Sequence, residues 1–313
     1  MNWELPYFNG HRKWIWICAS LLSFFARPAY AQSDPEINLK GAFDFHAYQA
    51  PDSLPRVMDA DDLARYAKEK GMRGMVMKNH YEDTAALVYI VRKQVSGIEL
   101  YGGITQDLAN GGINLESVKH MIAMKGGYGR VVTLPTFDSE NDVKYAKKTG
   151  PFVPVSKDGH LLPVVLELID WMAQHHNLVL ETGHISPEES LLLAHEAHER
   201  GVTHVVVNQV TFPSISMTIS QMQAAANDGA FIEFTYVPAK MEEAVKAIRA
   251  VGAKWCILAT DSGAVSKPPA PQRPPGPDLF LEFMQELHKQ GISVADINVM
   301  TKVNPLLALG ITP

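Results

Sequence analysis

Five short apolar runs in this sequence end in side chains that do chemistry. They are Phe43-Asp44-Phe45-His46, Met75-Val76-Met77-Lys78-Asn79-His80, Leu178-Val179-Leu180-Glu181-Thr182-Gly183-His184, Val205-Val206-Val207-Asn208 and Ile257-Leu258-Ala259-Thr260-Asp261. Imidazoles and carboxylates gathered in one pocket are what a divalent metal needs. Apolar runs of this length read as β-strands, so the reactive groups fall at strand ends.

Each group admits more than one role. His46, pointing inward near the end of strand one, is well placed as a metal ligand; taken alone, such a histidine is more often a hydrogen-bonded structural residue, and the company of the other groups favours the ligand. Lys78 and His80 stand two apart and face the same way in a strand. Lys78 is open to three functions: a carbamylated bridging ligand, a Schiff-base nucleophile, or an electrostatic clamp on an anion. A salt bridge to a neighbouring carboxylate is the plainer alternative. Glu181 can ligate or act as a general base, and Gly183 permits a tight bend that aims His184 inward. A charge emerging from Leu178-Val179-Leu180 must be paired or metal-bound if it is buried. Asn208 ends strand six as a hydrogen bonder to substrate or to supporting groups. Asp261, at the mouth of strand eight, can ligate a metal and accept a proton from its bound water. Arg56 follows Ala50-Pro51-Asp52; it suits a two-pronged grip on a carboxylate or phosphate, or an ion pair with Asp52. His175, His176, His195 and His198 fall on helices and are expected to face solvent. His160 lies in a long loop and is expected to stay out of the site, while His204 starts a strand and so points to the opposite end.

The elements that must position these groups alternate. Strands are expected at 41–46, 74–78, 99–104, 130–134, 178–181, 204–208, 231–234 and 256–259. Helices are expected near 61–70, 84–95, 114–124, 162–175, 220–227, 240–251 and 279–290, with a short pair near 294–309. Ser186-Pro187-Glu188-Glu189 starts a further helix with a serine cap, proline in the first turn and glutamate three residues on. Eight strands alternating with helices, with continuous apolar strands such as Val205-Val206-Val207, describe a single-domain α/β chain folded as a (β/α)8 barrel. There, residues distant in sequence share the face formed by the carboxyl ends of the strands. A doubly wound open sheet is the rival fold, but no glycine-rich phosphate loop follows strand one. Two long connections, 135–161 and 262–278, fall on the same face, where long loops shape or cover a pocket.

The chain has 313 residues, 46% hydrophobic and 20% charged, with formal net charge -6. This is enough for one large core, and there is no basic footprint for nucleic acid. Residues 1–31 read as a signal peptide: basic His11-Arg12-Lys13, an apolar stretch from Trp14 to Phe25 too short to span a bilayer comfortably, and Ala29-Tyr30-Ala31 as the cleavage pattern. Cleavage after Ala31 is expected, with export to the periplasm or medium, no stable membrane insertion afterwards, and a barrel domain over 32–313. Cys18 leaves with that segment. Cys256 is expected as a small buried apolar group, so no disulfide is expected.

Asp44-Phe45-His46-Ala47-Tyr48, Glu181-Thr182-Gly183-His184, Ala259-Thr260-Asp261 and the closing 301–310 segment resemble the amidohydrolase superfamily of metal-dependent barrels. The Ala-Pro-Asp loop, the Lys-x-His of strand two and the Gly-His of strand five are similar to an uncharacterised phosphotriesterase-like branch of it. The resemblance covers the chain from about Leu39 onward. It implies a metal that activates water to attack a carbonyl or phosphorus centre. By position, His46 matches the first histidine of the strand-one pair, His184 the strand-five histidine and Asp261 the strand-eight aspartate. The second histidine of that pair is Tyr48 here, placed with Arg56 and Asn208 as a substrate-binding candidate. Strand four ends in Val132-Thr133-Leu134-Pro135 without a bridging Lys or Glu, and strand six offers Asn208, not His. These departures favour one divalent metal over two, on His46, His80, His184 and Asp261; zinc is expected first, with manganese or iron as alternatives.

The expectation is an exported hydrolase of a small molecule, its bond an ester, lactone, amide or phosphoester. Asp261 or Glu181 takes the water proton, and Lys78 or Arg56 steadies the developing anion. The alternatives are a metal-dependent decarboxylase or lyase, a Schiff-base enzyme on Lys78, and a non-catalytic periplasmic binding protein on a degenerate barrel. A homo-oligomer is compatible with the sequence, which does not specify its state.

Overall fold

Eight strands pair in chain order, all parallel: β1 (Phe43–Tyr48), β2 (Gly74–Lys78), β3 (Glu99–Thr105), β4 (Gly129–Thr133), β5 (Val179–Glu181), β6 (Val205–Val207), β7 (Phe231–Thr235) and β8 (Cys256–Ala259). Their tight spacing and apolar content follow from burial on both faces. The helices between and after them are α1 (Ala60–Glu69), α2 (Ala85–Gln94), α3 (Leu115–Ala123), α4 (Glu140–Tyr145), α5 (Pro163–Met172), α6 (Pro187–Glu199), α7 (Ile219–Asn227), α8 (Met241–Val251), α9 (Gly276–Lys289), α10 (Val294–Asn298) and α11 (Asn304–Ala308). The computed structural model describes residues 36–265 and 274–313. The expected signal peptide, Cys18 and the proline-rich centre of the last long loop lie outside those residues. Among the described residues no helix is long and apolar enough to cross a membrane.

The ends of the sheet meet at β1 and β8, which closes the expected (β/α)8 barrel. Ala47 and Ser262 form a parallel bridge. The Tyr48 N–H donates to Ser262 O at 3.0 Å and the Asp261 N–H to His46 O at 2.9 Å. Below them the seam is stitched by a side chain. Asp44 Oδ1 accepts from the Thr260 N–H at 3.0 Å, and Oδ2 from the Thr260 hydroxyl at 2.6 Å. Asp44 is fully buried, and burial pushes its carboxyl up to about 7, against the lowering by Thr260.

A β-bulge in β1 sets up the interior. Asp44 pairs with Met75 and Ala47 with Met77, so Phe45 and His46 together oppose the single Val76. The extra residue shifts the in–out alternation. Phe43 and Phe45 therefore pack inside with Val76, Val131, Val179, Val206, Ile257 and Ala259, while His46 and Tyr48 also face inward above them, where His46 meets Glu233 of β7. Leu306, Ala308 and Leu309 join the same apolar cluster and close the barrel floor. Asn304 anchors this plug by donating to Ala253 O at 2.8 Å and Cys256 O at 2.7 Å. Buried Cys256 is the expected apolar group, its thiol pushed up to about 12 by burial.

Local signals hold where the chain is periodic or capped. Ser186 and Glu189 form a complete capping box on α6, and Asn114 accepts from the Glu116 and Ser117 N–H groups at the start of α3. The long connection after β4 is not featureless: it contains α4, capped by Ser139, and a two-residue hairpin, Ser156–Lys157 with His160–Leu161. A π-helical turn, Val299–Val303, links α10 to α11.

Candidate active site

The inward residues at the carboxyl ends of the strands form two connected groups, and neither is the arrangement expected from the sequence. The deeper group lies on β1, β2, β4, β5 and β7. Lys78 Nζ donates to Glu181 Oε2, which also accepts from the Thr133 hydroxyl at 2.6 Å. Both charges are almost wholly enclosed, Lys78 5% and Glu181 0% exposed, so each is tolerable only because of the other. Of the roles open to Lys78, the salt bridge is the one formed. Glu181 is too deep and too committed to serve as the expected general base, although its Oε1 has no partner.

His46 continues this group. Its Nδ1 lies 3.0 Å from Glu233 Oε1, and its Nε2 lies 3.2 Å from the Tyr48 hydroxyl and 3.6 Å from Asp261 Oδ1. Burial, reinforced by Lys78, lowers His46 to about 3, and burial raises Glu233 to about 7. The imidazole is therefore neutral at pH 7, and its contact with Glu233 is a hydrogen bond, not an ion pair. Once Glu233 is ionised, above about pH 7, the favoured tautomer carries its proton at Nδ1 and leaves the Nε2 lone pair to accept the phenol. Burial also raises the Tyr48 hydroxyl well above its ordinary value.

The second group stands at the mouth. His80 and His184 lie 6.3 Å apart by ring centres, with Phe137 against both and Phe212 stacked on His184. The Thr136 hydroxyl donates to Asp107, so it accepts from His80 Nδ1, at 2.8 Å. His184 is held by a turn that only glycine can make. Gly183 has φ +66°, and a Cβ there would lie 2.3 Å from Leu134 O. Asn208 fixes the same turn, accepting from the Thr182 hydroxyl at 3.0 Å and the Gly183 N–H at 2.8 Å. This internal bond, not substrate contact, is the Asn208 carbonyl's role. Neither ring nitrogen of buried His184 has a hydrogen-bond partner; Asp142 Oδ1 approaches Nδ1 only to 3.5 Å.

Asp261 sits in the left-handed region at φ 50°, as does Gln209 at φ 53°. Strained residues of this kind persist where the surroundings hold them. Here Gln209 Nε2 donates to Asp261 Oδ2 at 2.9 Å, and Asp261 keeps 24% of its side chain exposed. Arg56 holds Asp52 through Nε at 2.7 Å and one terminal nitrogen at 2.6 Å. Of its two expected roles, the ion pair forms, and the guanidinium lies 4.4 Å over the Tyr48 ring.

The four expected metal ligands do not converge. Among the described residues no three His, Cys, Asp or Glu side chains are arranged to hold one ion. Of the four, His46 and Asp261 form one pair and His80 and His184 another, with no third ligand joining either, and the Tyr48 hydroxyl already occupies His46 Nε2. The Tyr48 ring, 5.3 Å from the His46 ring and stacked at 4.7 Å on His80, separates the two histidines. His80 is turned to Thr136 and His184 toward Asp142. The donor set therefore does not fit a resident metal. Glu233, Gln209, Asp107 and Asp142 were not anticipated. A signal for Glu233 exists: it shares the parity of Phe231 and Thr235 in an otherwise apolar strand, which marks it as inward.

The fold is that of the amidohydrolase-superfamily barrels. A phosphotriesterase homology protein from Escherichia coli, solved with phosphate in its active site, aligns with a TM-score of 0.52 at 15% identity, over 86% of this chain and 98% of that one. A TatD homologue of Escherichia coli K12 aligns with a TM-score of 0.55 at 12% identity, over 87% and 98%. A 2,6-dihydroxybenzoate decarboxylase, solved with 2,6-dihydroxybenzoate, aligns with a TM-score of 0.53 at 10% identity, over 88% and 100%. At these identities the likeness is one of fold. No curated protein matches the sequence. Residues 41–233 match the model of DUF6282, a family of unknown function, and the chain belongs to that family.

Proposed function

We propose that this chain is a hydrolase of a small molecule bound at the carboxyl-end mouth of the barrel, with Asp261 as the base that takes the proton of the attacking water. The observation that carries this reading is the placement of Asp261. Its backbone is held in a strained conformation, one oxygen is fixed by Gln209, and the side chain is partly open to water. Glu181 and Glu233, both 0% exposed, lack that access. The residues that the superfamily resemblance offers to a divalent ion do not converge, so each step is assigned to the chain's own side chains. Asp261 orients the water and accepts its proton, and the aromatic walls of Phe137 and Phe212 exclude bulk solvent.

The test is a screen of esters, lactones, amides and phosphoesters in 18O-labelled water, with Asp261→Asn as the control. Turnover with label in the product, lowered about 100-fold or more in the variant, is expected. Equal activity in Asp261→Asn would remove the assigned base. Release of CO2 without label uptake would replace the hydrolase with a lyase. Export is part of the same proposal, supported by the basic, apolar and Ala-x-Ala order of residues 11–31. Mass spectrometry of the protein recovered outside the cytoplasm should find Gln32 as its first residue; an intact N-terminus would refute cleavage.

A further inference from the structure

We propose that Glu233, His46 and Tyr48 form a proton relay in which Tyr48 is the acid that protonates the leaving group, and that this relay takes the place of a metal on His46. The catalytic part rests on the hydrolase reading above; the hydrogen-bond and metal part does not.

The geometry is a line of three buried groups. Glu233 Oε1 meets His46 Nδ1 at 3.0 Å, and His46 Nε2 meets the Tyr48 hydroxyl at 3.2 Å. An acidic or nucleophilic hydroxyl, an imidazole and an orienting carboxylate in hydrogen-bond sequence make up the logic of a catalytic triad, which is recognised by geometry and roles. The hydroxyl is aimed by its ring. Tyr48 is clamped between the Arg56 guanidinium at 4.4 Å and the His80 ring at 4.7 Å, with 20° between the stacked planes. Its backbone N–H is bonded across the barrel seam to Ser262. The bulge in β1 places His46 and Tyr48 on the same inward side. Glu233 is a positioning residue, since it fixes the imidazole tautomer and touches no reacting atom.

Nε2 is the atom through which His46 would ligate a metal, and here it accepts from a phenol. Asp261 Oδ1 lies 3.6 Å from the same Nε2, so a small shift of its side chain or one bridging water carries a proton across once the phenol has given up its own. The cycle balances. As the water oxygen bonds to the acyl carbon, Asp261 takes one water proton. When the tetrahedral intermediate collapses, the carbon–oxygen bond to the leaving group breaks, its electron pair goes to the leaving oxygen, and the Tyr48 hydroxyl supplies the proton. The proton on Asp261 then passes to His46 Nε2, the transient imidazolium being steadied by Glu233, and from there to the Tyr48 oxygen. One ester and one water give one acid and one alcohol, and all residues return to their starting states. A lactone reacts in the same way, its alcohol remaining tethered.

The experiment uses the full mature chain labelled with 15N-histidine. Nuclear magnetic resonance at pH 9, where Glu233 is ionised, should show His46 as a single tautomer with its proton on Nδ1. The Nε2 resonance should move in Tyr48→Phe, stay unmoved when zinc is added to the unsubstituted protein, and lose its single-tautomer character in Glu233→Gln. Tyr48→His, which restores a second histidine, should retain zinc through desalting where the unsubstituted protein loses it. Zinc ligation of His46 Nε2 in the unsubstituted protein, or an Nε2 signal indifferent to Tyr48→Phe, would overturn the relay. With any ester found by the screen, Tyr48→Phe should lower kcat about 100-fold with KM little changed, and more for alkyl than for aryl leaving groups. An equal loss for both leaving groups would deny Tyr48 the acid role. Should the screen find no hydrolysis, the hydrolase reading falls while the resonance and zinc results still decide the relay.

Discussion

Replacing Asp44 with asparagine should make the barrel less sensitive to alkaline pH. The carboxyl of Asp44 lies in the dry seam between β1 and β8, raised from 3.8 to about 7 by burial. A group whose folded pKa is raised contributes stability that is complete below its unfolded value. That stability is lost as pH climbs through the folded value. For Asp44 the window runs from about 4 to about 7, and the whole loss is about 4 kcal/mol, of which roughly 3 kcal/mol falls between pH 5 and 9. Asparagine reproduces the protonated pattern. Its carbonyl accepts from the Thr260 and His46 N–H groups as Asp44 Oδ1 does, and its amide donates to the Thr260 hydroxyl, which turns its own proton to His46 O, 3.2 Å away. Asp44→Asn should therefore exceed the unsubstituted protein by only about 1–2 kcal/mol at pH 5 and by about 4 kcal/mol at pH 9, a widening of the melting-temperature difference on the order of 10 °C. Comparing the two proteins at each pH cancels the opposite contribution of His46, whose lowered pKa makes stability rise between about pH 3 and 6.5. A difference that stays flat from pH 5 to 9 in thermal melts would show that the seam is wet and Asp44 ordinary. A collapse of the variant at pH 5 would show that the hydrogen-bond exchange fails.

Two further substitutions test how the site is built. Lys78→Met strands the buried Glu181 carboxylate and should cost about 3–5 kcal/mol in urea unfolding, most of it regained in Lys78→Met with Glu181→Leu; a single variant within about 1 kcal/mol of the parent would mean that water reaches the pair. Gly183→Ala places a Cβ 2.3 Å from Leu134 O and 2.5 Å from Pro135 O in a left-handed turn, for a loss of about 3 kcal/mol from backbone and overpacking together. An unchanged melting temperature there would show that the turn carrying His184 relaxes freely.

Much of the barrel was legible because its signals are local. β2 and β8 have the expected bounds, and α6 begins where its capping box says it should. The segment after β4 was not legible as structure, since α4 and the hairpin depend on contacts such as the Val153 N–H to Asp138 O and not on any hydrophobic period. Residue types at the strand ends were also legible, and the structure does bring His46, Tyr48, Lys78, Glu181 and Asp261 to one interior. Their directions were not. The bulge in β1 and the left-handed backbone at Gln209 and Asp261 decide which atom meets which, and neither leaves a mark in alternation. That is why the four expected ligands do not share one centre: His46, His80 and Asp261 take different hydrogen-bond partners and the His184 ring takes none. It is also why Arg56 and Asn208, read as substrate binders, hold Asp52 and the Gly183 turn.

The apolar floor under Phe43 and Ile257 is made from Leu306, Ala308 and Leu309, which gives the fold an order in time. Synthesis delivers β1 well before its floor, so the strands emerging from the ribosome have no base to rest on until residues 306–309 have been added. Closing that loop spans most of the chain, a contact of the slowest-forming kind. Until then Phe43 stays uncovered and the nascent chain uncommitted. A chain slow to commit in this way stays open to chaperones and to any pathway that handles unfolded protein, and seating of α11 marks the end of that interval.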